Sequence, residues 1–397
     1  MGLFSSKDTK TYSLMLHLGS GSVGAAIIEN STDEKLRILY TVRESIVLRK
    51  NAGEGKEFAV IKTSLDRIIE RTLVAARAKS VSTRDVSRVV CVLSSPWYVS
   101  QTKIVSLEHK DTVTINSDFV DSLVEKEIAA FKNELDKKRE NPDSPDENIL
   151  VESHVIHIKL NGYPVAHPIG KKAQTVEVAM IMSFTPQGII SAVTEAVRRF
   201  SSSGKIAFHT LSLAGFSVVR DISPDTNSFI FTEVGGEVTD VAIAKKGILL
   251  ETISLPVGSN TLVRAISESL NVLPDVALSY LSIDASSTAH QDLQSSINAA
   301  KQNARDAWLK SFGNALAVFS EEIFLPRDLF LIAEQGTGDF FLDLIKKSEF
   351  KEIAFTSTTV RASLLSGHTL SDFVAYDTGV PRDSFLSLIT LFHRKIS

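Results

Sequence analysis

The chain is expected to fold as α/β with two lobes, and three observations lead there. Two apolar hairpins with glycine turns, Leu14–Ile28 and Phe229–Ala244, lie about 215 residues apart. Amphipathic helical stripes alternate with short apolar strands along most of the chain. The 397 residues can bury a large core and suggest two or three domains.

Each hairpin has a reason in its residues. In the second, the strand Phe229–Val234 meets Gly235-Gly236, and Val238, Val241 and Ile243 leave on the return strand. In the first, Leu14–Leu18 meets Gly19-Ser20-Gly21-Ser22 and continues as Val23–Ile28. Glycines at a strand-to-strand turn let backbone N–H groups approach a ligand closely, and phosphate is the usual ligand that needs this.

Helical periodicity marks Lys62–Lys79, with Leu65, Ile68, Ile69, Leu73 and Ala76 on one stripe. A strand at Ser87–Ser94 and a Ser95-Pro96-Trp97 turn follow. Ser117–Leu135 reads as a helix capped by Asn116 or Ser117, then a charged, proline-broken connector runs from Asp136 to Glu147. Strands are expected at His154–Leu160 and Thr175–Phe184, joined by Asn161-Gly162-Tyr163-Pro164. A helix at Pro186–Phe200 stops at Ser201–Gly204. Beyond the second hairpin, helices are expected at Ser259–Leu270, Thr288–Glu322 and Phe340–Lys347, with a strand at Leu329–Ala333. The segment Pro381–Lys395 fits a final core helix.

Composition narrows the class. A net charge of −4 and a pI near 6.2 give no electrostatic reason to expect nucleic acid. The single cysteine, Cys91, sits in an apolar run and cannot form an internal disulfide, which fits a reducing cytoplasm. No apolar run reaches the roughly 18–20 residues needed to span a bilayer, and no signal peptide is expected. His154 and His157 are three apart on a strand, so they face opposite sides and do not form a metal pair.

The order of motifs resembles the FtsA/PilM branch of the actin-like ATPase superfamily over almost the whole chain. Phe229–Ala244 resembles its second phosphate loop, and Leu255–Ile266 the connecting segment and helix after it. Ser153–Val178, with its Pro168-Ile169-Gly170 segment, is similar to the exit of the special subdomain 1C of FtsA proteins. The resemblance implies a two-lobed actin-like fold, a duplicated ribonuclease H-like unit, with a small α+β subdomain 1C inserted. Its divisions would be 1–84 (subdomain 1A), 85–175 (1C), 176–224 (return to lobe 1), 225–354 (lobe 2, with 2B around 271–300) and a C-terminal strand and helix in 355–397.

The resemblance also implies a nucleotide site holding ATP and Mg²⁺, weakly. Gly19, Ser20, Gly21 and Ser22 would meet the phosphates from one lobe, and Gly235, Gly236, Glu237 and Thr239 from the other. Gly258 would lie at the connecting segment, and Gly336, Thr337 and Gly338 near the base. The family carries an aspartate before each glycine turn to hold Mg²⁺-bound waters; His17 and Glu233 stand there instead. An imidazole cannot accept two hydrogen bonds from those waters as a carboxylate does. Losing an outer-shell carboxylate costs roughly 10–100-fold in metal affinity or activity. Leu278 and Leu281 replace a Glu and a Lys that contact ribose and base, and Ala333-Glu334-Gln335 delays the adenosine glycines. No residue is assigned a catalytic role, and hydrolysis is expected to be very slow or absent.

Three functions follow from the resemblance. The first is an FtsA-like cell-division scaffold that self-associates and links the tubulin-like FtsZ ring to the membrane. The second is a PilM-like cytoplasmic scaffold of type IV pilus or secretion assembly, peripheral to the membrane by way of a partner. The third, an actin-fold small-molecule kinase, needs a further catalytic aspartate that the sequence does not supply.

Overall fold

Residues 10–30, 35–46, 54–138, 147–201, 205–281, 291–322, 324–348 and 360–396 are described by a computed structural model. The first lobe opens with β1 (Thr11–Leu18), antiparallel to β2 (Ser22–Asn30), which is antiparallel to β3 (Arg37–Ser45). The helix α1 (Glu54–Ala78) then crosses to β4 (Val86–Leu93), parallel to β1. Side chains alternate across this sheet as strand geometry requires. Leu14, Leu16 and Leu18 join the core under α1, and Met15 points to the opposite core.

The chain next leaves the sheet. β5 (Val99–Thr114), α2 (Ser117–Lys137), β6 (Asn148–Leu160), β7 (Tyr163–Pro164) and β8 (Lys172–Pro186) build a separate sheet in the order β5-β8-β6-β7. α2 is capped by the Asn116 side chain and buries Val120, Leu123 and Phe131 against this sheet. Asn161 and Gly162 both take positive φ, which makes a two-residue hairpin turn between β6 and β7. That turn therefore leads to β7 and not straight to β8.

The chain returns through α3 (Gln187–Phe200) to β9 (Lys205–Thr210), parallel to β4, and then α4 (Leu211–Ile222). The expected start of the inserted unit at 85 needs correction. β4 is apolar on both faces, with Val89, Cys91 and Leu93 in one core and Val90 and Val92 in the other, so it is an interior strand of the first sheet. The expected end at 175 also moves, because β8 stays in the small sheet to Pro186.

The second lobe repeats the plan. β10 (Phe229–Val234), β11 (Thr239–Lys245) and β12 (Ile248–Leu255) form an antiparallel meander. α5 (Ser259–Leu270), α6 (Pro274–Leu281) and α7 (Gln291–Glu322) lead to β13 (Asp328–Ala333), and α8 (Gly338–Lys347) leads to β14 (Arg361–Leu364). The sheet order β12-β11-β10-β13-β14 matches β3-β2-β1-β4-β9 strand for strand, so the fold is a duplicated unit. β15 (Ala375–Tyr376) adds to the edge of β3, and α9 (Ser384–Ile396) closes the described chain as a buried core helix.

α4 and α9 lie between the two sheets in one continuous core drawn from both lobes. α4 comes so close to the second sheet that a Cβ on Gly215 would stand 2.2 Å from the Phe231 ring. The expected connector Asp136–Glu147, the stop at Ser201–Gly204, the start of the helix at Thr288 and parts of 271–300 and 355–397 fall partly or wholly outside the described residues. Among the described residues, no helix is long and apolar enough to cross a membrane.

Candidate functional site

The two glycine turns meet. Each is closed on itself, the Gly19 N–H donating to the Ser22 carbonyl at 2.9 Å and the Gly235 N–H to the Val238 carbonyl at 2.9 Å. They are then pressed together backbone to backbone. A Cβ on Gly236 would stand 2.2 Å from the Gly21 Cα, and one on Gly21 2.6 Å from the Gly236 Cα. The Glu237 N–H donates across this contact to Ser20 Oγ at 2.9 Å.

The connecting helix seals the second turn from behind. At the start of α5, Ser259 and Asn260 donate their N–H groups to the Gly235 and Gly236 carbonyls at 2.9 and 2.8 Å. A Cβ on Gly258 would lie 2.4 Å from the Gly236 oxygen. A helix N-terminus is a ready anion site when its N–H groups are free; here these two are committed. Glu237 is also engaged, its carboxylate bound by both Arg264 terminal nitrogens at 2.7 and 2.9 Å and by Asn260 Nδ2 at 2.8 Å. Thr239 donates to the Val257 carbonyl and accepts from Trp308 Nε1 at 3.0 Å, buried in the second lobe.

Around the clasp runs a chain of buried polar groups. Arg43 forks onto Asp383 at 2.5 and 2.8 Å, and its Nη1 also donates to Ser22 Oγ at 2.6 Å and to His17 Nδ1 at 3.0 Å. A guanidinium only donates, so His17 Nδ1 accepts, and Nε2–H is the donor to Ser94 Oγ at 2.8 Å. The Ser94 hydroxyl in turn serves Glu233. Burial first, and the Arg43 charge second, push the His17 pKa well below the ordinary histidine value, so the ring is neutral. It stacks on Phe385 at 4.3 Å between ring centroids. Desolvation opposes the Arg43 charge, but Asp383 outweighs it and the pKa rises.

Three carboxylates face this chain from the second lobe. Glu233 is fully buried, and desolvation, then repulsion from Asp240, raise its pKa well above the ordinary value. Its Oε2 has no hydrogen-bond partner among the described residues. Asp240, also raised by desolvation, accepts from Ser254 Oγ at 2.6 Å and Tyr98 hydroxyl at 3.2 Å, which ties the second hairpin to the first lobe. Glu334 accepts from Ser22 Oγ at 2.7 Å; burial raises its pKa, partly offset by Arg43.

The remaining expected residues lie beside this centre. Thr337 closes its own turn onto the Glu334 carbonyl. Gly336 and Gly338 line a cleft of about 250 Å³ with Glu334, Arg43, Arg382 and Asp383. A Cβ on Gly336 would lie 3.9 Å from Leu278 Cδ1. The structure brings Gly19–Ser22, Gly235–Glu237, Gly258, His17 and Glu233 together, but in contact with one another. Arg43, Ser94 and Asp383 were not legible as site residues: Asp383 meets Arg43 across 340 positions of sequence.

This arrangement does not fit Mg²⁺ and a nucleotide phosphate. Both His17 nitrogens are occupied, burial and then Asp240 raise the Glu233 pKa, and the space between the glycine turns is filled by backbone. The geometry is that of a clasp between lobes.

Two measurements check the clasp. Arg43→Ala leaves Asp383 buried without its partner and removes the His17 donor. Breaking one half of a buried pair costs about 3–5 kcal/mol, so urea unfolding should show a loss of that order; a loss below about 1 kcal/mol contradicts the buried network. Glu233→Gln tests the raised carboxyl pKa. A raised native pKa means the native state holds the proton more tightly, so wild-type stability falls as pH rises from near 4.5 through the native value. The glutamine variant lacks this loss, and its advantage over wild type should grow as pH rises above the ordinary glutamate value. Parallel stability curves for the two proteins would show that Glu233 ionises freely.

Comparison with known proteins yields the fold. No protein-family model and no curated protein matches the sequence. Among solved structures, the chain is similar to the PilM–PilN type IV pilus biogenesis complex, with TM-score 0.65 at 15% identity, covering 97% of this chain and 98% of that one. Ethanolamine utilization protein EutJ from Carboxydothermus hydrogenoformans follows at TM-score 0.45 and 9% identity, covering 96% and 90%. The cytoplasmic domain of EpsL, an inner membrane component of the Vibrio cholerae type II secretion system, gives 0.36 and 9%, covering 97% and 95%. The chain has the two-lobed α/β fold of the actin-like ATPases.

Proposed function

We propose that this protein is a non-catalytic actin-fold scaffold of a type IV pilus or related secretion assembly, held at the cytoplasmic face of a membrane through a membrane-complex partner. The observation that carries the reading is the contact of Gly21 with Gly236, which fills the space a nucleotide-clamping cleft would need. Phosphoryl transfer rests almost wholly on positioning and charge stabilisation. A neutral His17 with both nitrogens hydrogen-bonded, and a buried Glu233 whose pKa burial and Asp240 raise, supply neither for a metal. The similarity to PilM over nearly all of both chains supports the pilus reading over the division-ring reading. No observation in the site favours a small-molecule kinase.

Cross-linking and affinity capture from membranes of the source cells tests the proposal. The expected dominant partner is a membrane protein of a pilus or secretion base, cross-linked through its cytoplasmic segment. A tubulin-like division-ring protein as the dominant partner would overturn it. So would ATP hydrolysis by the purified chain near 1 per second, within the range of working phosphoryl-transfer enzymes.

A further inference from the structure

A second polar cluster lies away from the clasp, where the small sheet meets the edge of the first sheet. Glu152 and His154 are two apart on β6 and so project to the same side of that strand. His209 comes from β9, the edge strand of the first sheet. One ligand atom from each of these three residues lies within 4.8 Å of the other two. No spacing rule joins them in sequence, since His209 is brought in only by the fold.

The carboxylate is held in place. Glu152 Oε1 accepts from Ser183 Oγ at 3.0 Å, from the Thr210 N–H at 3.3 Å and from Thr210 Oγ1. This leaves Oε2 turned toward His209 Nδ1, 3.3 Å away. Ligating carboxylates are oriented in this way by outer hydrogen bonds. The Glu152 side chain is only 1% exposed, whereas His154 is exposed and His209 half-buried, so the cluster opens to solvent on the His154 side.

We propose that Glu152, His154 and His209 bind a Zn²⁺ ion that staples the small sheet to the first lobe. One carboxylate oxygen and two imidazole nitrogens are a donor set that zinc accepts. Zinc–ligand bonds of about 2.0–2.2 Å in a tetrahedron place donors roughly 3.3 Å apart. The Glu152–His209 pair already stands at that separation, and His154, free to turn at the surface, closes the set. Three protein ligands leave a fourth position, on the solvent side, for water or for a side chain of a partner.

The test uses the full chain with any affinity tag removed and stripped of metal with a chelator. Zn²⁺ is titrated against a chromophoric competitor, Co²⁺ is followed by its visible absorption, and thermal unfolding is recorded with and without Zn²⁺. One ion per chain is expected, with a zinc-dependent rise in Tm. His154→Ala, an exposed change, should weaken binding by more than about 10-fold and abolish that rise. His157→Ala, on the same strand but turned toward Glu177, should leave both unchanged. Less than one ion per chain, or a His154→Ala protein that binds as tightly as wild type, overturns the proposal. If His209→Ala fails to fold, His154→Ala still decides.

Discussion

Arg43 is the group on which the centre of this molecule depends. It is a permanent cation on β3 with a side chain only 5% exposed, and it is tolerable there because Asp383, at the start of α9, takes its fork. Its Nη1 donates to Ser22 and His17, fixing the first glycine turn and the histidine tautomer. From there one chain of hydrogen bonds runs His17 to Ser94 to Glu233, crossing from the first sheet to the second. Burial first, and then the Arg43 charge, lower the His17 pKa, while burial and then Asp240 raise that of Glu233. In a low-dielectric interior such a chain is favourable only when its members are paired, and removal of one leaves the others exposed to the full cost of burial.

The duplicated architecture explains why the two turns can meet. Both lobes place an antiparallel hairpin beside two parallel strands, and α4 and α9 pack back to back between the sheets. The core they share is continuous across the lobes, so the turns at the hairpin tips are presented to each other at fixed distance. Glycine at 21 and 236 then allows contact at backbone range, and the carbonyls of the second turn cap α5. The same residue types that suit phosphate binding serve here for close packing of backbone on backbone. The chemistry of the flanking residues distinguishes the two uses: His17 and Glu233 are matched to Arg43 and Ser94 and not to a hydrated cation.

Much of this was legible in the sequence. Both hairpins, the long periodic helices and the strand Asp328–Ala333 have clean patterns, and α5 falls on Ser259–Leu270 as its residues indicate. α4 was not legible, because Leu211–Val219 is buried on every side and shows no amphipathic stripe. β5 escaped because its burial alternates weakly among polar residues such as Gln101, Lys103 and Glu108 on a sheet edge. The histidine and glutamate departures pointed to a site without ordinary metal chemistry. What replaced it depended on Arg43 and Asp383, whose pairing spans the chain and leaves no local signature.

Amide hydrogen exchange at the clasp, with and without Mg²⁺ and ATP, tests the central claim most directly. The account predicts that the Gly19, Gly235 and Glu237 amides, each donating within the clasp, exchange only through large-scale opening. It also predicts that nucleotide leaves their protection unchanged. Rapid exchange at these amides in the free protein, slowed on addition of Mg²⁺ and ATP, would show an open phosphate-binding cleft and contradict it.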